Sequence, residues 1–244
     1  MKIPILYEDN HLLVIEKPVN IPVQEDSTMD KDLLTMLKED LKIRYQKPGN
    51  VYLGLVHRLD RPVGGVMVFA KTSKAASRLS DAMRRGAFDK DYLAVVRGRP
   101  STSKAVLEDY LLKDRRENKV HIVSPNHNKA KKAVLTYEVI GQTNELSLLS
   151  IKLETGRPHQ IRVQLASIEC PIYGDQKYGQ NVNKPGQQIA LWSHRLAFEH
   201  PTKRIQQKPN PCHQASIHGT NGRSSASKEL ITWENSTNIH DSDI

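Results

Sequence analysis

Five short apolar segments follow one another between residues 92 and 153, and no segment of helical spacing separates them. Each has the length of a β-strand and ends at a turn-like gap. The strands predicted in this stretch are 92–96, 105–112, 120–124, 133–140 and 146–153. Because strands succeed one another here without crossover helices, the pattern favours an α+β fold over a doubly wound α/β sheet.

Fewer helices than strands are predicted in the remainder of the chain. Leucines recur at helical spacing over 33–41, behind a candidate N-cap at Asp30. A second helix is predicted to start at Ser73 and to end with Gly86 as its C-cap. A third is predicted to open with Pro158 at its first position and to turn Ile161, Leu165 and Ile168 inward. Further strands are predicted at 12–15, 65–70 and 189–198.

The composition changes after Arg204. Residues 205–244 are rich in Ser, Asn, Gln, Thr and His, with few aliphatic residues and no sustained periodicity. Such a segment buries too little apolar surface to offset the entropy lost on ordering. The sequence therefore predicts one folded domain over 1–204 and a polar, disordered tail over 205–244.

Charge is the compositional feature that bears most on function. The 36 Lys and Arg residues exceed the 27 Asp and Glu residues, which leaves a net charge of +9. The excess is uneven: residues 1–40 are acidic, whereas residues 71–99 and 113–132 are strongly basic. This asymmetry indicates a basic face for a polyanionic partner. The alternative is a set of charged faces that only meet water.

Several classes of protein lose support from what the sequence lacks. No apolar run approaches the roughly 18 residues of a membrane-spanning helix, and the start shows no secretory h-region. Two cysteines, Cys170 and Cys212, are too few for a disulfide framework, so a reducing, cytoplasmic location is expected. The sequence has no Walker A loop, dinucleotide fingerprint, zinc-protease motif or serine-esterase motif, and no histidine has metal-ligand spacing.

The segment His57–Gly65 places Asp60 between Arg58 and Arg61, directly before two glycines and an apolar strand. Cationic neighbours favour the ionised carboxylate, which is a candidate nucleophile or general base. Gly64 and Gly65 would let a substrate's backbone approach closely. The alternative is a structural Asp–Arg pair within the loop.

The segment Thr155–Leu165 gathers polar donors at the start of the third predicted helix. Arg157, His159 and Gln160 cluster there, and Arg162 lies one turn beyond Pro158. A helix start with such donors can receive a phosphate or carboxylate. The alternative is an amphipathic helix whose polar side meets water.

At these two segments the sequence resembles the RluA-type RNA pseudouridine synthases, and the similarity runs in order from about Ile5 to Arg204. Pro62-Val63 departs from the Thr-Ser of many relatives, and the apolar strand expected after Arg204 is not evident. The motifs that carry the resemblance begin at Tyr7, His57, Lys90, Gly156 and Leu191.

The resemblance implies a catalytic domain over 1–204 that converts uridines of structured rRNA or tRNA to pseudouridine, without cofactor, metal, membrane or obligatory protein partner. It implies a mixed, largely antiparallel sheet flanked by helices, with a central cleft for RNA. Asp60 matches the catalytic aspartate, Tyr92 the tyrosine near the flipped base, and Arg162 the arginine that pairs with the aspartate. The residues expected to bind substrate are His57, Arg58, Gly64, Lys71, Lys90, Arg157, His159, Gln160 and Leu191.

Two other functions are compatible with parts of this pattern. A catalytically silent RNA-binding protein on the same fold would explain the basic segments. A carboxylate-dependent glycosidase requires a second acidic residue paired with the first, and none is evident beside Asp60.

Overall fold

A computed structural model describes residues 2–26, 28–204 and 228–234. Within them the chain forms eleven strands and three helices. The strands are β1 (Ile5–Glu8), β2 (Leu12–Lys17), β3 (Gly54–Leu55), β4 (Gly64–Ala70), β5 (Phe88–Arg97), β6 (Lys104–Asp114), β7 (Lys119–Ile122), β8 (Lys131–Gln142), β9 (Leu146–Leu153), β10 (Leu191–Arg204) and β11 (Lys228–Glu234). The helices are α1 (Leu33–Arg44), α2 (Ser73–Arg84) and α3 (Gln160–Ser167).

The described residues divide into two compact units. Unit 1 holds the described parts of Met1–Arg61, Gly65–Asp89 and Arg195–Asn235. Unit 2 holds Pro62–Gly64 and Lys90–His194.

Unit 1 contains the strands β1, β2 and β4 side by side, with β3 also paired to β4 and β11 paired to β10. Every residue of β4 is buried, as its unbroken apolar run requires. Val66 and Val68 of β4 pack with Leu79 of α2 and Phe198 of β10.

Unit 2 contains five strands in the order β5-β9-β8-β6-β7, and the pairings between them are antiparallel. Leu111 of β6, Val120 of β7 and Ala133 of β8 form a buried cluster with Val163 of α3. The predicted α+β class with a largely antiparallel sheet is therefore confirmed.

The helix ends correct two predictions. Asp32, rather than Asp30, caps α1: its carboxylate accepts a hydrogen bond from the Thr35 amide at 3.0 Å. Helix α3 begins at Gln160, two residues beyond Pro158, because His159 is left-handed (φ 51°) and a helix cannot include that conformation. The predicted start of α2 at Ser73 is confirmed, and Gly86 takes the left-handed conformation just beyond that helix (φ 74°).

Part of the predicted disordered tail is a strand. β11 pairs antiparallel with β10, and Ile231 is buried in the unit 1 core. The prediction is wrong over 228–234, because one short apolar segment gains its stability from a distant partner strand rather than from local composition. The rest of the tail, 205–227 and 235–244 with Cys212, lies outside the described residues.

No helix in the described part of the chain combines the length and the apolar character that a membrane span requires.

Candidate active site

Asp60 lies in unit 1 on the loop between β3 and β4. Its carboxylate is half-buried, while the neighbouring Leu59 is buried and Arg58 is exposed. The Nε2 atom of His57 accepts a hydrogen bond from the Val68 amide at 3.2 Å, which ties the start of the loop to β4. The loop thus presents one carboxylate from a backbone that is fixed at its base.

Arg61 is directed to the acidic segment before α1. Its guanidinium donates to Asp30 and, at 2.8 Å, to the Thr28 hydroxyl, and it lies 3.7 Å from Asp26. These contacts within unit 1 tie the loop of Asp60 to residues 26–30.

Lys17, at the end of β2, is a cation close to Asp60 that the sequence interpretation did not identify. Its side chain is wholly buried, and Nζ donates to the carbonyls of Pro18 at 2.9 Å and Arg61 at 3.0 Å. The pKa of Lys17 is lowered to about 8, mainly by burial. Attraction to Asp60 raises the pKa, and repulsion from Arg61 lowers it. Lys17 therefore links the Asp60 loop to β2 in two ways: by a hydrogen bond to the loop backbone and by attraction to the Asp60 charge.

Gly64 is the first residue of strand β4, and Lys71 directly follows its last residue. The ammonium group of Lys71 forms an ion pair with Glu8 at 2.6 Å and lies 4.9 Å from the ring centroid of Tyr45. Gly64 is buried at the first position of the strand. Their expected roles in substrate binding stay predictions, and the contacts of Lys71 are those of a structural ion pair.

Tyr92 and Leu191 are buried residues of unit 2. Tyr92 lies on β5 opposite Ile151 of β9. Leu191 opens β10, directly after Ala190, whose carbonyl accepts a hydrogen bond from the Val95 amide of β5 at 3.0 Å. An aromatic and an aliphatic side chain are thus fixed on strands of the same unit.

Arg162 of α3 is held by Asp175 within unit 2. Its Nε and Nη2 atoms donate to the two carboxylate oxygens, each at 2.8 Å. Burial alone would raise the pKa of Asp175, but the hydrogen bonds and charge of Arg162, with the amides of Lys177 and Tyr178, lower it below its ordinary value. The pairing of Arg162 with Asp60, implied by the resemblance, stays a prediction, since Asp60 lies in the other unit.

The turn before α3 is anchored by Gln160. Its Oε1 accepts hydrogen bonds from the Thr155 hydroxyl at 2.8 Å and the Arg157 amide at 3.0 Å, and its Nε2 donates to the Val134 carbonyl at 3.1 Å. The side-chain amide thus shapes the turn from inside, and the expected contact of Gln160 with substrate stays a prediction.

His159 and Arg157 lie on the same turn. The Nδ1 atom of His159 lies 2.8 Å from the Tyr178 hydroxyl, and the Nε atom of Arg157 donates to the Lys132 carbonyl at 2.9 Å. Lys90 of β5 is buried nearby, with its Nζ 3.5 Å from the point where a Cβ on Gly156 would lie. Arg157 and His159 thus lie on one turn directly before α3, with Lys90 of β5 close to Gly156 in the same unit.

The two units carry different chemical groups. Unit 1 carries the loop with the Asp60 carboxylate, and unit 2 carries the Tyr92 ring together with arginine and lysine side chains. Among the residues that the structure describes, no three His, Cys, Asp or Glu side chains are grouped as metal ligands would be. A net charge of +9 is typical of proteins that bind a polyanion such as nucleic acid.

Comparison with known proteins identifies the family. Residues 11–167 match the family of RNA pseudouridylate synthases, and the chain belongs to that family. It is 33% identical over 212 residues to ribosomal large subunit pseudouridine synthase C of Buchnera aphidicola, covering 82% of this chain and 64% of the relative. It is 32% identical to synthase D of Borreliella burgdorferi, covering 81% and 60%. This chain therefore matches less than two thirds of the length of these relatives.

A solved structure supports the same assignment. The human RNA pseudouridylate synthase domain containing 4 superposes with a TM-score of 0.68 at 25% identity, covering 80% of this chain and 84% of that one. The matched family region includes Asp60, Tyr92 and Arg162.

Proposed function

We propose that this protein isomerises uridine to pseudouridine in RNA, and that ribosomal RNA is its substrate. The family match across 11–167 carries the proposal, because it spans the loop of Asp60, the strand of Tyr92 and the helix of Arg162. Relatives named as ribosomal large subunit synthases support the choice of RNA. A cytoplasmic location and an RNA-binding cleft, both expected from the sequence, belong to this proposal.

The reaction breaks the bond between ribose C1′ and uracil N1 and forms a bond between C1′ and C5. The proton lost from C5 is balanced by one gained at N1, so the product is an isomer of the substrate. In this mechanism the Asp60 carboxylate acts on the ribose, Tyr92 supports the extruded base, and Arg162 compensates the carboxylate charge. Extrusion of the base costs a few kcal/mol, which stacking and backbone contacts offset.

The test compares Asp60→Asn with the wild-type protein on ribosomal RNA labelled with tritium at uridine C5. We expect the substitution to slow tritium release about 10³-fold or more, because it removes the reacting carboxylate without changing its size. Asp40→Asn is the matched control. Asp40 lies on α1, and among the described residues its carboxylate accepts a hydrogen bond only from the nearby Arg44, at 2.7 Å.

Equal tritium release from Asp60→Asn and wild type would contradict the role of Asp60. Salt-sensitive RNA binding with no tritium release from either protein would instead identify a catalytically silent RNA-binding protein.

A further inference from the structure

Lys90 is a buried cation whose charge no described residue compensates. The residue retains 9% of its accessible surface, and in the described part of the chain its side chain makes no hydrogen bond or ion pair. Burial lowers the pKa of Lys90, and repulsion from Arg157 lowers it further. A buried charge without a partner is costly, so its retention calls for a functional explanation.

Arg157 presents a second positive charge to the same place. Its backbone amide is fixed by Gln160, and its Nε donates to the Lys132 carbonyl, which leaves one edge of the guanidinium for other partners. Neither Arg157 nor Lys90 has a carboxylate within ion-pairing distance among the described residues. Two repelling cations, each held by the fold, form a site that an anion would stabilise.

Gly156 opens the space above the ammonium group. A Cβ at this position would lie 3.5 Å from Lys90 Nζ, so a larger side chain would fill the region that an anion needs. The side chain of Gln160 holds the turn in place, because its Oε1 accepts hydrogen bonds from the Thr155 hydroxyl and the Arg157 amide. The site is therefore preorganised by the hydrogen bonds of Gln160.

Lys90 and Tyr92 project from the same face of β5, since both belong to the buried set of its alternating pattern. Two residues of a strand advance about 6.6 Å, which is within the reach of one nucleotide. An RNA strand whose base reaches Tyr92 would thus pass its backbone beside Lys90.

We propose that Lys90 and Arg157 bind a backbone phosphate of the RNA next to the uridine that reaches Tyr92. This inference rests on the proposed function for its ligand and adds a phosphate subsite that positions the substrate. The subsite acts through charge and hydrogen bonding to a phosphodiester and takes no part in bond breaking.

Two measurements on the full chain test this subsite with Lys90→Met and Arg157→Gln. The first compares urea unfolding in sodium phosphate and in sodium chloride at equal ionic strength. Phosphate should raise the wild-type midpoint by more than it raises the midpoint of either variant, because the variants keep only the general stabilisation by phosphate and lose the part due to binding. Lys90→Met should also raise the midpoint in chloride, because it removes an uncompensated buried cation, whereas a structural lysine would lower it.

The second measurement is the affinity for a uridine-containing RNA stem–loop, made in the Asp60→Asn background so that no turnover occurs. Each variant should bind about ten-fold more weakly or worse, as the loss of a charged hydrogen bond predicts. Lys104→Met is the control: this exposed lysine of unit 2 is paired with Glu138 at 3.1 Å and should bind as the parent does.

Unchanged RNA affinity in both variants would overturn the subsite, even if phosphate stabilises the wild type, because the pair would then bind small anions alone. Weaker RNA binding with no isomerase activity in the wild type would retain the subsite and refute the proposed function.

Discussion

Asp175 fixes the orientation of Arg162 by using both carboxylate oxygens. The same carboxylate accepts hydrogen bonds from the amides of Lys177 at 2.8 Å and Tyr178 at 3.2 Å. A buried ion pair of this kind is retained at a desolvation cost, which several hydrogen bonds to one carboxylate reduce. The guanidinium therefore meets any second partner from a fixed direction, as the role proposed for Arg162 requires.

Lys17 should make stability depend on pH in the alkaline range. Its pKa is about 8 in the folded protein and 10.5 in the unfolded chain, so between these values the unfolded state binds more protons. The free energy of unfolding of the wild type should therefore rise with pH from 8 to 10.5, relative to Lys17→Met. The slope of the difference should not exceed about 1.4 kcal/mol per pH unit.

Urea unfolding of both proteins across pH 7 to 11 measures this difference. Lys42→Met, at an exposed position of α1, should give no such rise. A flat difference for Lys17→Met would show that the buried amine does not lose its proton in this range.

Residue patterns were enough to select candidate site residues, but they did not reveal the residues that hold those candidates in place. Asp60 could be chosen because an acid between arginines and before two glycines is unusual in itself. In the sequence, Lys17 has the pattern of a polar residue that ends a strand before Pro18. Its burial depends on packing against distant residues, which the local sequence does not predict. Asp175 belonged to a recognised motif, but its contact with Arg162 joins α3 to a loop thirteen residues later.

At the scale of elements, strands were predicted well where hydrophobic residues alternate or run together, as in β4 and β9. The start of α3 was predicted two residues too early. A proline followed by polar residues is compatible both with the first turn of a helix and with the loop that precedes a helix. The left-handed backbone of His159 decides between them. β11 was missed because its stability depends on pairing with β10.

β11 should contribute measurably to the stability of unit 1. Ile231 is 7% exposed within the core, whereas its neighbour Leu230 is 44% exposed. Ile231→Ala should lower the free energy of unfolding by about 2–4 kcal/mol, since it leaves a cavity among packed side chains. Leu230→Ala should change it by less than about 0.5 kcal/mol, as measured by urea unfolding. Similar losses from both substitutions would mean that Ile231 is not packed in the core.

At the scale of the whole molecule, the charges divide between an acidic beginning and two basic segments. The segment 113–132 belongs to unit 2, and its exposed cations include Arg115 and Arg116. Neither arginine side chain forms an ion pair with a described residue. Cations that lack internal partners are suited to phosphate contacts along an RNA.

RNA affinity should therefore fall steeply with salt, and these two arginines should account for part of the slope. Each lost phosphate contact reduces the slope of log affinity against log salt by about 0.7 for single-stranded RNA. The double variant Arg115→Gln/Arg116→Gln should show a shallower slope, whereas Lys31→Gln/Lys42→Gln changes the net charge equally in unit 1 and should retain the wild-type slope. Filter binding of an RNA stem–loop from 50 to 300 mM salt measures both. Equal slopes in the two double variants would mean that net charge, rather than a basic face on unit 2, attracts the RNA.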